Sequence, residues 1–530
     1  MKTYFDASIY SSKQVLCLYA GLTKDKALKE KPQRKRITSY PVCLCYLGKR
    51  SLIPKKLVIL CSILLGVNFA VRADAQTVTL DAFLQQLQQK HPIFEKEELT
   101  AQVEQEEKNS YLGTQDWNFF SSVNLSREEP AIVIAEPERT DALTINGGLE
   151  RAFWSTGGRL SVSLTSSKAF LDIDPFFGVP DELYYNRLAL TYVHPLLKNR
   201  HGFLDKFQYE LKQFDIDFSE IQALENEEDF LAKSAGKFLN WAFLTEQMKI
   251  VTERSRLSEE ELDRTQRKRE ANLVDQVDVI RAEDAVRIAK QSLVLVESQL
   301  KAVRAELAVL SQSDELNTAE PQFDLYGIIE LPTLETAVAQ VKEESRLIKA
   351  INFREQQISY SRKGYEETMK PELGLVAQVN AKSADAELGK SFVLDKPDLV
   401  FGLQFRTPLG NRKAKAEIAK TDLRLNQIQK QKQDISLDLE SAVTNIYIQI
   451  NELVQVLTLN QEQIESAKAK TEEELKIYNQ GRGELTFVIQ SQDSEQNARL
   501  TYAQNALTYH KLILTYRALM DQLLPADSQE

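Results

Sequence analysis

The chain has 530 residues, of which 66 are basic and 77 acidic, and its composition divides near residue 75. Residues 1–75 hold all four cysteines and carry a net charge of +10, whereas residues 76–530 hold no cysteine and carry −21. A hydrophobic fraction of 43% with 27% charged residues excludes a polytopic helical membrane protein and a disordered chain. The strongly acidic larger part argues against nucleic acid as a partner.

An apolar run from Leu57 to Val67, preceded by two lysines, indicates a secretory signal peptide over residues 55–75. The run is shorter than the roughly 20 residues that a membrane-spanning helix needs, but it fits the apolar core of a signal, about 7–15 residues. Small residues in Ala73–Ala75 predict cleavage before Gln76, and an uncleaved membrane anchor is the alternative. Residues 1–54 are too long and mixed for a signal, so we interpret them as an N-terminal extension from an over-long start assignment.

The rest of the chain repeats one design twice, which indicates duplication. The segment Thr79–Pro92 (TLDAFLQQLQQKHP) matches Thr333–Arg346 (TLETAVAQVKEESR) at an offset of 254 residues. HPLLKNR then matches TPLGNR, and ANLVDQVDVIRA matches QGRGELTFVIQS, at offsets of 213 and 209. The offset falls from 254 to 213 between the first two matches. The first half therefore contains about 41 additional residues between Tyr111 and Pro195. We assign the first repeat, the second repeat and a C-terminal tail to residues 76–326, 327–524 and 525–530.

Each half is predicted to contain an opening helix, strands, a long helix and a returning helix. In the second half, residues 414–480 contain no Gly or Pro, and their apolar stripe has the 3.6-residue period of a straight amphipathic helix. A helix of about 70 residues is about 100 Å long. The opening helices are predicted at 80–113 and 334–370, the long ones at 203–272 and 414–480, and the returning ones at 277–311 and 484–523. A returning helix stacked end to end on the opening helix of the other half would have about the same length as one long helix.

Four segments between the helices alternate apolar and polar residues with a period of two, which predicts strands. Such alternation is typical of transmembrane β-barrels, although soluble β-sandwiches share it. The secretory signal and the long helices favour the barrel. Because about eight strands are the minimum for closure, a four-stranded chain would have to oligomerise. The apolar faces contain Trp117, Phe119, Val123, Leu125, Leu188, Leu190, Tyr192, Leu373, Leu375, Ala377, Val379, Leu399, Phe401, Leu403 and Phe405.

The additional residues of the first half contain a predicted β-hairpin, Thr144–Ser167, that turns at Thr156–Arg159. We expect it to extend beyond the barrel as an extracellular flap. Addition of its strands to the barrel is the alternative.

The chain from about Thr77 to Leu524 resembles the TolC-like outer membrane efflux protein family. The resemblance rests on the opening helix LDAFLQQLQQKHP, the corners HPLLKNRHG and TPLGNRKAK, and the helix tips NLVDQVDVIRAE and YNQGRGELTFVIQSQ, in order and duplicated. It implies a mixed, mostly α-helical fold with long coiled-coil hairpins. In a homotrimer these would form a periplasmic tunnel below a 12-stranded barrel in outer-membrane lipid, with four strands from each chain.

The resemblance also implies a function. Family members are passive exit ducts of tripartite efflux pumps or type I secretion systems. They lie in the outer membrane, extend into the periplasm, and dock a periplasmic adaptor that couples them to an inner-membrane transporter. A periplasmic coiled-coil scaffold without a pore is the alternative function.

In the family, the helix tips close the tunnel and meet the adaptor. The resemblance places Asn272 and Gly481 at the family's turn glycine, which suits a turn with positive φ. It matches Tyr478 to a gate tyrosine and Asp278 to a gate aspartate. Ordinary coiled-coil packing is the alternative role for Tyr478.

Three positions depart from the family pattern. Phe487 and Gln490 stand where the family has constriction aspartates, and Gly483 stands where it has a gate arginine. An acidic ring would attract cations, which Phe487 and Gln490 cannot do. We therefore expect a gate without cation selectivity, or ordinary packing for Phe487.

No enzyme signature is present in the sequence. It contains no phosphate loop, nucleophile elbow or HExxH motif, and its four histidines are scattered. We therefore expect no catalytic residue, no metal site and no cofactor.

Overall fold

The computed structural model describes residues 77–131 and 137–524, which form nine α-helices and eight strands. The predicted N-terminal extension, signal peptide and C-terminal tail lie outside these residues. The helices are Leu80–Lys90 (α1), Pro92–Ser110 (α2), Phe203–Glu270 (α3), Gln276–Ser311 (α4), Leu334–Glu344 (α5), Arg346–Met369 (α6), Leu388–Ser391 (α7), Arg412–Asn479 (α8) and Leu485–Leu519 (α9). The strands are Thr77–Thr79 (β1), Asn118–Glu128 (β2), Arg139–Phe153 (β3), Gly158–Asp172 (β4), Glu182–Pro195 (β5), Glu320–Gln322 (β6), Glu372–Asp385 (β7) and Lys396–Arg406 (β8).

The two long helices are confirmed. Helices α3 and α8 have 68 residues each, so each is about 100 Å long. Both follow strand-to-helix corners in which an asparagine has positive φ, 63° at Asn199 and 48° at Asn411. Asparagine tolerates this conformation better than most residues, so the repeated KNR and GNR segments turn the chain from sheet to helix in the same way.

The opening helices are broken, so the prediction of one continuous helix in each half was wrong. Helix α1 ends at His91, whose Nδ1 accepts a hydrogen bond from the Ile93 N–H at 3.3 Å and caps α2. Helix α5 ends at Ser345, whose hydroxyl accepts from the Leu347 N–H at 3.2 Å and caps α6. Neither cap residue is helical, with ψ of 130° at His91 and 134° at Ser345, and they lie 254 residues apart, which is the offset of the repeat. The breaks therefore belong to the duplicated design.

The stacking of the shorter helices differs from the prediction. Helices α6 and α9 pack against both α3 and α8, whereas α2 and α4 pack against α3 without reaching α8. Arg254 of α3 pairs with Asp493 of α9, and Lys290 of α4 pairs with Glu259 of α3. Each returning helix therefore continues the opening helices of its own half. Helix lengths alone did not distinguish the two arrangements, because all four short segments are of similar length.

Large aromatic side chains fill the core where the two tiers of short helices meet. Phe238 and Trp241 of α3 are fully buried, and Phe83 of α1 contacts Phe238. Tyr509 of α9 binds the connector between the repeats, because its hydroxyl accepts from the Ile329 N–H at 2.8 Å. Strands β1 and β6 pair in parallel beside this core. The two halves are thus joined by side-chain packing, while the β1–β6 pairing connects the start of the first repeat to its end.

The large sheet has six antiparallel strands in the order β2-β3-β4-β5-β7-β8. Strands β3 and β4 come from the additional residues of the first half and lie inside the sheet, between β2 and β5. The expectations of four strands and of a flap separate from the sheet were therefore wrong, because both hairpin strands are hydrogen-bonded along their length. The turn occupies residues 154–157, slightly earlier than predicted, and ends at Gly157 with φ of 72°.

Gly157 also shows why the hairpin is anchored to the helices. A Cβ atom at this position would lie 2.2 Å from the Asn199 carbonyl oxygen, so only glycine allows the turn to pack against the corner before α3. Within the described residues, no helix has the length and apolar character that crossing a bilayer would require.

Candidate functional site at the helix tips

The two long hairpins end in equivalent turns. Asn272 follows α3 with φ of 55°, and Gly481 follows α8 with φ of 74°. In each turn the next amide reaches back five residues, from Leu273 to the Lys268 oxygen at 2.8 Å and from Arg482 to the Ile477 oxygen at 3.1 Å. This is the Schellman arrangement that ends helices with a left-handed residue. The positive φ expected at Asn272 and Gly481 is therefore present.

Tyr478 lies inside the tip and not on its surface, with only 4% of its surface exposed. The Nζ atom of Lys268 is 3.4 Å from the centroid of its ring and 3.3 Å from its carbonyl oxygen. An ammonium over an aromatic face is attracted by the ring's electrons. Lys268 thereby ties the end of α3 to the end of α8, and ordinary packing also contributes because Tyr478 contacts a small apolar cluster with Leu485 and Val488.

Buried polar side chains lie around the Tyr478 hydroxyl. Glu261 is 3% exposed and Thr265 is fully buried, and the Thr265 side chain interacts with both Glu261 and Tyr478, which opposes the rise in the pKa of each. Burial raises the pKa of Tyr478, and burial likewise raises the pKa of Glu261, against the opposing charges of Arg264 and Lys268. Burial disfavours an ionised carboxylate, so this side of the tip is less stable when Glu261 is charged.

Asp278 lies in the first turn of α4. Its carboxylate accepts from the Asp275 N–H at 3.4 Å and pairs with Arg281 at 3.1 Å. Its charge contributes, after burial, to raising the pKa of Tyr478, so the structure brings these two predicted residues into one electrostatic environment. The carboxylate also caps the helix, which favours an acid at this position in any case.

Phe487 and Gln490 are three residues apart in α9, so they lie on the same side of this helix, and both are exposed. The side chain of Phe487 is half exposed. Gln490 lines a cleft of about 280 Å³ between α4 and α9, together with Arg281, Asp284 and Ile288. The predicted site residues are therefore not one cluster: Tyr478 is internal, whereas Phe487 and Gln490 lie on the exposed side of α9, with Gln490 at the cleft.

Arg254 forms the floor of this cleft and was missed by the sequence reasoning. It is 6% exposed and donates to Asp493 at 2.7 Å, to Gln492 at 3.0 Å and to Ser258 at 2.6 Å. A signal for it exists in the sequence: polar residues recur along α3 at alternating intervals of four and three residues, as at a packed helix seam. These residues are Arg254, Ser258, Glu261, Thr265 and Lys268.

Far from the tips, one group of three carboxylates among the described residues is close enough together to hold a metal ion, namely Glu225, Glu228 and Asp521. The guanidinium of Arg346 lies among them. It is 2.9 Å from Glu225 and 3.3 Å from Asp521, and it also contacts Glu228. Arg346 thus takes the position that a cation would occupy and links α6 to α3 and to the end of the second repeat.

No protein-family model matches the chain, and no curated protein matches it. Solved structures do. The outer membrane protein VceC of Vibrio cholerae is 12% identical, with 84% of this chain and 95% of that chain covered at a TM-score of 0.59. The outer membrane channel MtrE of Neisseria gonorrhoeae, in its open state, is 15% identical, with 84% and 89% covered at 0.58. The chain has the fold of these outer membrane channels.

A third similar structure is the outer membrane channel CmeC of Campylobacter jejuni, which is 11% identical, with 84% of this chain and 85% of that chain covered at a TM-score of 0.58. The match thus covers both repeats and nearly the whole length of each channel. The resemblance that the duplicated motifs indicated is confirmed at the level of the fold, which is mostly helical with a sheet part.

Proposed function

We propose that this protein is a trimeric outer membrane channel-tunnel, the passive exit duct of a tripartite efflux pump or a type I secretion system. One observation carries the proposal. The sheet exposes a broad apolar face and is joined directly to helices about 100 Å long. Such a chain can place its sheet in outer-membrane lipid while its helices cross the periplasm.

The exposed side chains are concentrated on the two edge strands. In β2, Phe119 is 73% exposed and Leu125 83%, and in β8, Phe401 is 72% exposed and Leu403 69%. Contiguous apolar surface of this kind is rare on soluble monomers. This favours a membrane protein over a periplasmic scaffold without a pore, for which the apolar face would have no use.

The tips are the proposed gate and the proposed contact with the partner. A periplasmic adaptor that bridges to an inner-membrane transporter would pack into the cleft beside Gln490, whose rim carries both Arg281 and Asp284. Asp278 and Tyr478 would hold the tip closed until the adaptor binds.

The experiment begins with the purified, processed protein. We expect outer-membrane fractionation, migration that changes on heating in a detergent gel, and discrete conductance steps in planar bilayers. A protein found only in the soluble fraction would exclude the duct and leave the scaffold.

The gate is tested in the same bilayers. Replacement of Asp278 by alanine removes both the N-terminal helix contact and the pair with Arg281, so we expect higher or more frequent conductance. Unchanged single-channel conductance would contradict the assignment of Asp278 to the gate. Glu283→Ala, which removes an exposed carboxylate that pairs within α4 with Arg287, is the matched control.

A further inference from the structure

The inserted hairpin has the same two-faced character as the rest of the sheet. Cross-strand partners in a sheet point to the same face, and one row of partners crosses all six strands with only apolar residues. This row is Phe119, Leu149, Val162, Leu190, Val379 and Leu399. The hairpin supplies its second and third members.

A second row, three positions further along β2 and on the opposite face, is polar throughout. It consists of Ser122, Asn146, Thr165, Arg187, Lys382 and Lys396. A flap surrounded by water would not need this separation of faces. A hairpin with one face in lipid and the other in an aqueous lumen would need it in both strands.

The hairpin cannot leave the sheet without dividing it, because β2 is connected to β5 only through β3 and β4. The sheet also ends in two free edges, β2 and β8, each of 11 residues. The number of strands is even and neighbours are antiparallel, so β8 of one copy can pair antiparallel with β2 of the next. Free apolar edges require such a partner.

The widths of the two parts agree with six strands in each chain. Four helices lie side by side towards the tips, in the order α4, α3, α9, α8, and at interaxial distances of 8–10 Å they span about 32–40 Å. Six strands spaced by about 4.8 Å and tilted by about 40° span about 38 Å of circumference, whereas four would span about 25 Å. Six strands thus match the width of the helical wall.

We infer that the inserted hairpin is part of the membrane-spanning wall, and that three copies joined edge to edge form an 18-stranded barrel in place of the 12-stranded barrel that the resemblance implied. The inference rests on the proposed function. Because barrel diameter grows roughly linearly with strand number, the exit pore is wider by about half. It therefore admits bulkier cargo than a 12-stranded exit, and the tips remain the narrow point.

The test uses single cysteines, since residues 76–530 contain none. Leu164→Cys and Ser163→Cys lie next to each other in β4, on the apolar and polar faces respectively, and Leu403→Cys in β8 is the reference. Each variant is labelled with a fluorescent maleimide and reconstituted into vesicles containing brominated phospholipid. Retained heat-dependent migration shows that each variant folds.

We expect the lipid to quench the label at Leu164→Cys as strongly as the label at Leu403→Cys, and to leave the label at Ser163→Cys several-fold less quenched. Quenching at Leu403→Cys without quenching at Leu164→Cys would overturn the inference and return the hairpin to a flap, while leaving the duct intact. Absence of quenching at both would overturn the proposed function as well.

Edge pairing is tested separately by pairing Val123→Cys in β2 with cysteines at positions 399, 401, 403 and 405 in β8. We expect oxidation at one register to yield covalent trimers on a non-reducing gel. Cross-links confined to single chains, or none at any register, would exclude the closed 18-stranded ring.

Discussion

Replacement by alanine is expected to change stability in opposite directions at Gly481 and Gly236. Gly481 has positive φ, so alanine there costs about 1 kcal/mol or more although its Cβ would meet nothing within 4 Å. Gly236 lies within α3, also with open space around it, so alanine gains about 0.5–1 kcal/mol. We expect Gly481→Ala to speed hydrogen exchange at the Arg482 amide and Gly236→Ala to raise the thermal midpoint. A slower Arg482 amide in Gly481→Ala would contradict the turn assignment.

The burial of Glu261 makes the stability of the tip depend on pH. Burial, the largest effect, raises its pKa above the unfolded value, against Arg264 and Lys268. The folded protein therefore binds more protons than the unfolded protein, and stability falls as pH rises above the unfolded pKa of about 4.3.

The corresponding test is Glu261→Gln, which keeps the shape and removes the charge. We expect it to be more stable than the wild type at pH 7, with the difference narrowing as pH falls towards 4, in thermal melts of detergent-solubilised protein. Glu260→Gln, at an exposed neighbour that pairs with Arg256, is the control. A difference that grows on acidification would contradict this account of Glu261.

At the scale of elements, Arg254 joins α3 to α9 across the tip half of the molecule. Its removal leaves the side-chain oxygen of Gln492, a residue that is 7% exposed, without its hydrogen-bond donor and leaves Asp493 without its ion pair. Hydrogen bonds to charged groups contribute about 1.5–3 kcal/mol, so we expect Arg254→Ala to destabilise by roughly 2–3 kcal/mol and to speed exchange in α9.

Arg256 provides a matched control two residues away. Among the described residues it pairs with Glu253 and Glu260 of its own helix and is about half exposed, and exposed pairs contribute little. Arg256→Ala should therefore leave exchange in α9 unchanged. Equal effects of the two variants would show that the Arg254 network does not hold α9.

The long helices and the repeat were predictable from the sequence because they depend on local, periodic signals. Residues 414–480 show one unbroken stripe, and the turns at Asn272 and Gly481 follow from residue types that accept positive φ. The break at Ser345 was not predictable in this way, since no proline marks it. Pro92 does mark its counterpart, but Pro is also accepted in the first turn of a helix.

Contacts between residues that are far apart in the sequence were harder to predict. The alternation in Thr144–Ser167 predicted a hairpin, but only the register with β2 and β5 shows that it lies inside the sheet. In the same way, Tyr478 could be matched to a gate position, but its partner Lys268 lies 210 residues away along the chain. Long-range partners of this kind are not encoded in local periodicity.

At the scale of the whole molecule, the helical row has an apolar stripe at each flank. On α8 the stripe contains Leu437, Ile448 and Leu459, each more than half exposed, directly opposite the face that carries the buried Leu439 and Ile450. The other stripe contains Val277, Ile288 and Leu295 of α4. The two stripes are different surfaces at opposite flanks, so they are suited to a head-to-tail contact that closes a ring.

Leu459→Glu tests this contact. Burial of a leucine side chain contributes about 1.5–3 kcal/mol, and a carboxylate between two apolar stripes adds a desolvation cost. Introduction of the charge should therefore weaken every subunit contact in the ring. We expect the detergent-resistant oligomer to dissociate at a lower temperature in a gel-shift series.

Thr458→Glu is the control, because it adds the same charge at an exposed position about a quarter-turn away and should leave the oligomer unchanged. If both variants dissociated alike, net charge and not the α8 stripe would account for the loss, and the two stripes would not be the contact that closes the ring.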